Sequence, residues 1–236
     1  MPYRIAKLGA LLGAAVIALP ATAGAATPSG GTLYAGDFGG ATVTADGSSL
    51  TAPLGAMLGG TLRFRGTLSS SRPGDTVVVQ RLDPRRGWQT TATTTVAPDG
   101  SFLAAWRADR AGRTTVRAVH GDTGTATAAQ AATTAPTRSL TVYRPAVATW
   151  YGPGFYGRRT ACGQKMSRRL LGVAHRTLRC GTLVEVFYGG RAITVPVVDR
   201  GPFRRGTTWD LTSAAARALG VRQTTTVGTV RAAPAK

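Results

Sequence analysis

Between residues 42 and 144 the chain alternates short apolar runs with polar residues and turn signals. Leu62-Arg63-Phe64-Arg65 alternates apolar and polar side chains, as a half-buried strand does. Pro98-Asp99-Gly100 is a strong turn signal, and it precedes an apolar run that ends at Trp106. Several such runs at similar spacing are typical of two packed β-sheets. The pattern therefore predicts a small β-sandwich.

A second pattern begins after residue 145. Gly189-Gly190 is a hairpin signal between two apolar-rich runs. Residues 212–219 are rich in Ala, and Thr212 and Gly220 are placed to cap the two ends of a short helix. The predicted strands cover residues 182–188, 192–198 and 224–230. This part of the chain is therefore also predicted to be mainly β, with one short helix.

The first 26 residues have the pattern of an export signal. Arg4 and Lys7 precede an apolar run from Leu8 to Leu19, and the small residues that follow suit a cleavage site. The run is shorter than the roughly 20 residues that a membrane-spanning helix needs. We therefore expect an exported protein without stable membrane insertion.

Charge separates the two domains that these patterns define. Of the formal net charge of +19, residues 27–144 contribute +5 and residues 145–236 contribute +12. The high positive charge of residues 145–236 implies that this domain works in anionic surroundings. The alternative is that the charge serves only to keep the protein soluble. The predicted parts are a signal peptide (1–26), a Gly- and Ser-rich linker (27–41), the β-sandwich (42–144) and a C-terminal domain (145–232).

Cys162 and Cys180 are the only cysteines in the chain. Export places them in an oxidising compartment, where we expect them to form a disulfide. Such a bridge closes a loop of about 18 residues and contributes roughly 3 kcal/mol by chain-entropy arithmetic. Two reduced, buried cysteines are the alternative. With two cysteines, two distant histidines and scattered carboxylates, we expect no metal site and no cofactor.

Three consecutive motifs carry the most specific signal. They are Ala148-Thr149-Trp150-Tyr151-Gly152, which continues to Gly163; Gly172-Val173-Ala174-His175-Arg176; and Val198-Asp199-Arg200-Gly201-Pro202-Phe203, with Trp209-Asp210-Leu211-Thr212 after it. In order and spacing they resemble the RlpA-like (rare lipoprotein A) family. The resemblance implies a six-stranded double-psi β-barrel over residues 145–232 and lytic cleavage of peptidoglycan. Expansin barrels are similar more distantly, and the preceding sandwich resembles immunoglobulin-like or fibronectin-like modules.

The resemblance also implies catalytic positions. The family's three catalytic residues correspond to Gln164, His175 and Asp199, and the expansin pattern singles out Asp210. The family has Glu at the first position, and Gln cannot hold or release a proton. Lytic cleavage uses the sugar's own C6 hydroxyl as nucleophile, so one proton-carrying group suffices. Asp199 is expected to be that group, with Asp210 or His175 in support.

The arginines that follow Asp199 and the one Glu of the chain affect the expectation that Asp199 carries the proton. Arg200, Arg204 and Arg205 would lower the pKa of Asp199 if they came close, whereas a general acid needs a raised pKa. The chain's one Glu, Glu185, lies between Val184 and Val186 on a predicted strand. Its side chain is expected to point to the opposite face, into solvent, in a structural role.

Aromatic side chains are the candidates for sugar binding. Tyr151, Tyr156 and Trp209 could each offer a ring to an apolar sugar face, as could Phe155, and Arg200 could bind polar groups. A place in the barrel core is the alternative for Tyr151 and Trp209.

Charge and resemblance together favour peptidoglycan, or another anionic wall glycan, as the partner of a wall-associated protein. Nucleic acid is not expected, because aromatic residues do not interleave with the basic ones. The first hypothesis is a secreted lytic transglycosylase. The alternative is a non-catalytic, expansin-like module that binds or loosens wall glycan. In a third hypothesis the sandwich is the active partner and the barrel a scaffold.

Overall fold

The computed structural model describes residues 32–34, 40–121 and 134–232. The predicted signal peptide and most of the predicted linker lie outside these residues. The strands of the first half are β1 (Thr32–Tyr34), β2 (Ala41–Ala45), β3 (Ser48–Ala52), β4 (Gly55–Met57), β5 (Thr61–Thr67), β6 (Thr76–Asp83), β7 (Gly87–Thr95), β8 (Ser101–Arg107) and β9 (Gly112–His120). The second half contains β10 (Thr137–Tyr151), β11 (Val173–Ala174), β12 (Leu183–Tyr188), β13 (Arg191–Asp199), β14 (Trp209–Thr212), helix α1 (Ser213–Leu219) and β15 (Thr225–Arg231). The described protein is therefore mainly β.

Two sheets share one core in the first domain. Strands β2, β3, β5 and β8 form a four-stranded sheet, and β7, β6, β9 and β10 follow one another in the other sheet. Phe64 and Phe102 from the first sheet join Val77 and Val116 from the second in one buried cluster. The side chains of β5 alternate between exposed and buried, as the sequence predicts.

The long strand β10 belongs to both domains. Its first part pairs with β9, from Thr137 to Val142, and its last part pairs with β14, from Ala148 to Tyr151. The predicted boundary between residues 144 and 145 thus lies inside one continuous strand. Because the two domains share this backbone, their connection is a hydrogen-bonded strand.

Six strands close the second domain into a barrel. Strand β10 pairs with β15, β15 with β12, β12 with β13, β13 with β11, β11 with β14, and β14 again with β10. Closure leaves no strand of the ring with an unpaired edge. The core contains Val195, Val197, Trp209 and Leu211. The predicted six-stranded ring is therefore present.

The short helix α1 has the caps that the sequence predicts. The hydroxyl of Thr212 accepts a hydrogen bond from Ala215 N, and Gly220 ends the helix in the left-handed conformation with φ of 80°. Ala215 and Leu219 are buried against the barrel. No helix in the described part of the chain is long and apolar enough to span a membrane.

The expectation that Glu185 faces solvent is wrong. Its side chain is buried, accepts a 2.6 Å hydrogen bond from the Tyr143 hydroxyl and forms an ion pair with Arg113 of β9. The reason is that Arg113 and Tyr143 lie on the outer face of β12, so that Glu185 is buried on that face while Val184 and Val186 are buried in the barrel core. Sequence alternation cannot reveal a second domain packed on the polar face of a strand.

Candidate functional site

Asp199 and Asp210 lie in one row of residues across the barrel wall. Thr149 of β10 pairs with Asp210 of β14, Asp210 pairs with Ala174 of β11, and Ala174 pairs with Asp199 of β13. Neighbouring strands lie about 4.8 Å apart, so the two Asp backbones are separated by roughly 10 Å. The pairing brings both predicted carboxylates together.

A β-bulge places Asp199 in this row. Val173 pairs with Val197, but the next residue, Ala174, pairs with Asp199, so that Val198 is the extra residue. Without this shift Asp199 would share the face of Val195 and Val197, which point into the core. Bulges commonly redirect a side chain beside a functional site.

The carboxylate of Asp199 accepts three hydrogen bonds. Ala161 N and Arg200 N each donate to Oδ1 at 2.8 Å, and the hydroxyl of Tyr151 donates to Oδ2 at 3.1 Å. No ion pair joins Asp199 to Arg200 among the described residues. The carboxylate is therefore held by two amides and one hydroxyl.

Asp210 has a different environment. Burial raises its pKa to about 6, a hydrogen bond from Thr149 Oγ1 at 2.8 Å opposes that rise, and the negative charge of Asp199 adds to it. A carboxyl group with this pKa is partly protonated near neutral pH. Asp210 can therefore donate a proton in the pH range where ordinary aspartates cannot.

His175 directly follows Ala174. Its Nδ1 accepts hydrogen bonds from Thr177 N at 3.2 Å and Leu178 N at 3.1 Å, so the neutral ring carries its proton on Nε2. Burial lowers the pKa of His175, and the positive charges of Arg176 and Arg200 lower it further. The neutral imidazole can donate a hydrogen bond from Nε2 without changing charge.

Tyr151, which the sequence predicts to bind sugar, lies against Asp199. It is half-buried, its hydroxyl donates to Asp199, and burial together with the charge of Asp199 raises its pKa. Phe155 packs edge-on against it, with ring centroids 5.9 Å apart. The hydroxyl of Tyr151 therefore positions a carboxylate, and the exposed ring beside it is Phe155, which is 49% exposed.

The remaining predicted sugar-binding residues are also placed by the structure. Trp209 is buried in the barrel core, where its ring lies 4.5 Å from that of His175. Tyr156 is partly exposed, and its hydroxyl lies 3.0 Å from Ser213 Oγ. Arg200 is partly buried, and its Nη1 atom is itself buried without a hydrogen-bond partner among the described residues. Tyr156 is thus partly accessible to a ligand, whereas Trp209 packs against the imidazole.

One exposed aromatic residue in the loop after Asp199 was not among the residues that the sequence predicted to bind sugar. Phe203 follows Asp199 by four residues and is 82% exposed. Its loop is held by Arg176, whose guanidinium donates to the carbonyl oxygens of Pro202, Arg204 and Thr207. The signal for it in the sequence is its place as the last residue of the motif that runs from Val198 to Phe203.

Gln164 does not contact the two carboxylates. All its near neighbours are hydrogen-bond acceptors, so the amide is oriented with its NH2 group towards them. This group lies 3.0 Å from Thr160 Oγ1 and 3.2 Å from the carbonyl oxygens of Val198 and Cys162. The amide thus joins the 160–164 loop to the bulge before Asp199. The same loop supplies the N–H of Ala161 to Asp199.

The disulfide between Cys162 and Cys180 is present, with 5.6 Å between the Cα atoms. It links the 160–164 loop to the turn after His175, as expected. The described residues hold no group of three or more His, Cys, Asp or Glu side chains that could bind a metal.

Comparison with known proteins agrees with this geometry. The family described as "Lytic transglycolase" matches residues 145–232. A "Probable endolytic peptidoglycan transglycosylase RlpA" of Synechocystis sp. is 49% identical over 77 residues, which cover 32% of this chain and 24% of that protein. A protein of the same name from Aquifex aeolicus is 49% identical over 76 residues, covering 31% of this chain and 34% of its own length. The "Endolytic peptidoglycan transglycosylase RlpA" of Campylobacter jejuni is 42% identical over 72 residues, which cover 30% of this chain and 26% of that protein.

These matches define the class of the second domain. It is an RlpA-like double-psi β-barrel. The chain spans only about a quarter to a third of the length of these curated relatives (24%, 34% and 26%).

Proposed function

We propose that the protein is a secreted lytic transglycosylase of the cell wall that cleaves peptidoglycan glycan strands without using water. The observation that carries this proposal is the pair of carboxylates in one row, one of which has a pKa raised to about 6. The similarity of the barrel to RlpA proteins supports the same reaction. The disulfide supports an extracytoplasmic location.

In the proposed reaction Asp210 is the general acid. It donates its proton to the glycosidic oxygen as the bond from that oxygen to the anomeric carbon breaks. The C6 hydroxyl of the same sugar attacks the anomeric carbon, and its proton passes to Asp199. The products are a free sugar hydroxyl and a 1,6-anhydro ring, and proton exchange with solvent restores both carboxyl groups. These roles reverse the expectation from sequence, because burial raises the pKa of Asp210.

The neighbouring side chains have supporting roles. Tyr151 and Ala161 N hold the Asp199 carboxylate in place. His175 Nε2 donates a hydrogen bond to the sugar. Phe155, Tyr156 and Phe203 offer ring faces, and Arg200, which is partly exposed, offers its positive charge. The two-sheet domain, which we assign to the immunoglobulin-like or fibronectin-like class, is a rigid spacer.

Mass spectrometry of the products tests the proposal. Purified sacculi incubated with the protein are expected to release 1,6-anhydromuramyl fragments. Asp210→Asn and Asp199→Asn are each expected to lower this release by about 100-fold or more, as loss of an acid or base group does. Release that survives both substitutions would remove these residues from the mechanism.

The second candidate is a non-catalytic, expansin-like module that binds wall glycan. Two observations favour it: the amide at position 164, and the net charge of +12 on residues 145–236. It predicts that sacculi retain the protein, that salt weakens this retention, and that no soluble product forms. If Gln164→Glu alone starts cleavage, the amide is the reason for the inactivity. Retention that does not depend on salt would contradict the electrostatic part.

A further inference from the structure

The outer face of the four-stranded sheet in the first domain carries arginines that the proposed reaction does not use. Arg63 and Arg65 of β5 and Arg107 of β8 are exposed. They point outward because they alternate along their strands with core residues such as Leu62 and Phe64. We call the surface formed by these three arginines and the outward residues between them the Arg63 face.

The three arginines of this face are close neighbours. Arg63 and Arg65 are two residues apart on one strand, so their Cα atoms are separated by about 7 Å. Arg107 pairs with Thr61, which places it diagonally from Arg63 at about 7 to 8 Å. A 3.2 Å hydrogen bond from Arg107 Nε to the carbonyl oxygen of Gly59 holds it there. Strands β2, β3, β5 and β8 contain no acidic residue, so the face is purely cationic.

Arginines of the other sheet, by contrast, are used inside the protein. Arg113 forms an ion pair with Glu185, and Arg81 forms one with Asp83. No ion pair joins any of the three arginines of the Arg63 face to an acid within 32–34, 40–121 or 134–232. Like charges on neighbouring strand positions repel each other, which costs stability. An anion bound from outside would relieve this repulsion.

A groove of about 340 Å³ runs over the Arg63 face. Its lining includes two arginines, two threonines and two apolar residues: Arg63, Arg65, Thr51, Thr61, Pro53 and Leu103. Leu103 pairs with Arg65 and is 64% exposed, so it forms an apolar wall beside that cation. The aromatic side chains of the four strands, those of Phe64, Phe102 and Trp106, are buried in the core. The groove therefore offers cations, hydroxyls and one aliphatic side chain.

These features favour a phosphodiester polymer over other anionic partners. A guanidinium group binds a phosphate through two N–H groups at once. A membrane surface calls for several aromatic and aliphatic anchors, and a single-stranded nucleic acid calls for rings that stack on its bases. The four strands of this sheet expose one large aliphatic residue, Leu103, and no aromatic ring. A thin polyol chain with a phosphodiester in each repeat needs neither kind of anchor.

We infer that the Arg63 face binds a linear polyol-phosphate polymer of the cell envelope. This inference rests on the proposed function for the location of the protein outside the cell. The guanidinium groups bind successive phosphates, the threonine hydroxyls bind hydroxyls of the polyol, and Leu103 contacts its methylene groups. The polymer is a docking partner and not the substrate. The first domain therefore attaches the protein to the envelope while the second domain acts on glycan.

Titration of the full chain with poly(glycerol phosphate) tests the inference without requiring turnover. Nuclear magnetic resonance is expected to show saturable shifts of the amides of Thr51 and Leu103, which report on this face whether or not the polymer also binds the cationic second domain. Arg63→Gln combined with Arg65→Gln is expected to weaken binding at these amides about tenfold, the effect of losing two exposed charge contacts. The slope of log affinity against log salt concentration should fall by about 2, as it does when two cations leave a phosphate backbone.

Arg85→Gln combined with Arg86→Gln is the matched control. It removes two exposed charges from the turn between β6 and β7, in the same domain, and so changes the net charge equally. Binding measured at Thr51 and Leu103 is expected to stay unchanged in this variant. Equal weakening in both double variants would show that net charge alone attracts the polymer, and would overturn the assignment.

The outcomes separate this inference from the proposed reaction. Shifts at Thr51 and Leu103 together with absence of anhydro products would overturn the proposed reaction and leave the Arg63 face intact. Anhydro products together with absence of these shifts would overturn the Arg63 face alone. Glycerol 3-phosphate and vesicles of anionic phospholipid are the further probes. If either binds this face as tightly as the polymer at equal phosphate concentration, the polymer assignment is wrong.

Discussion

Asp199 and Asp210 both pair with Ala174, one from each neighbouring strand. Their environments differ, because Asp199 accepts two backbone N–H groups and a hydroxyl, whereas Asp210 is half-buried with one hydroxyl donor. Two carboxyl groups with different environments can divide the roles of acid and base. The predictions below follow from this division and from the contacts that support it.

Activity should depend on the protonation of Asp210. Because its pKa is raised to about 6, the rate of release of anhydro products is expected to fall as the pH rises above about 6. At pH values well above this pKa, the rate should fall about tenfold for each pH unit. Initial rates between about pH 5 and pH 8 measure this, with circular dichroism as the control for folding. A rate that rises across this interval would contradict Asp210 as the acid.

Asp210 should also lower stability at neutral pH. Its pKa is higher in the folded protein than the ordinary 3.8, so the folded state binds the proton more tightly. The free energy of unfolding is therefore expected to decrease as the pH rises from 3.8 to about 6, and to stay lower above that. Asp210→Asn should raise it at pH 7.5 by on the order of 1 kcal/mol, after allowance for partial exposure. Urea unfolding at pH 7.5 and at pH 4 measures the free energy of unfolding of the original protein and of Asp210→Asn. If the two proteins differ by the same amount at both pH values, burial of the charged carboxylate is not the cause.

Tyr151→Phe removes the hydroxyl that donates to Asp199 and keeps the ring. We expect turnover to fall about tenfold, the effect of one lost hydrogen bond to a charged group, with little change in KM. Tyr151→Leu removes the ring as well and should raise KM through the loss of the contact with Phe155. If Tyr151→Phe raises KM and leaves kcat unchanged, Tyr151 binds sugar and does not position the carboxylate.

The contact between the domains should be measurable as a coupling energy. Arg113→Ala leaves the buried carboxylate of Glu185 without its cation, and we expect a loss of roughly 1 to 2 kcal/mol of stability, because Arg113 itself is half-exposed. Glu185→Gln, with and without Arg113→Ala, completes a double-mutant cycle measured by chemical denaturation. Additive effects would show that the ion pair does not join the domains.

The disulfide should stabilise the loop that supports Asp199. Replacing Cys162 and Cys180 together by Ser is expected to lower the free energy of unfolding by about 3 kcal/mol. It should also lower turnover, because the loop that carries Ala161 N is released at one end. A variant that is less stable but equally active at low temperature would show that the bridge has no role in positioning Asp199.

Much of the barrel could be predicted from sequence because its signals are local. The Thr212 and Gly220 caps, the Gly189-Gly190 hairpin and the single cysteine pair each depend on a few neighbouring residues. The three motifs also identified the residues that the fold brings into one row.

The features that could not be predicted depend on the pairing register of the strands and on contacts between segments that are distant in the sequence. The bulge at Val198 redirects Asp199, and no local pattern marks the extra residue. Burial of Glu185 requires a second domain on its face, and the raised pKa of Asp210 requires the packing around it. Sequence alone therefore could not show that the pKa of Asp210 is raised.

The central claim is that the glycan is cleaved by its own C6 hydroxyl and not by water. The most direct test is to digest purified sacculi in water enriched in oxygen-18 and to measure the masses of the products by mass spectrometry. If Asp210 and Asp199 direct attack by the sugar's own C6 hydroxyl, the new ends are 1,6-anhydro rings that contain no heavy oxygen, and Asp210→Asn abolishes them. Heavy oxygen at the new reducing ends would show hydrolysis and contradict the account.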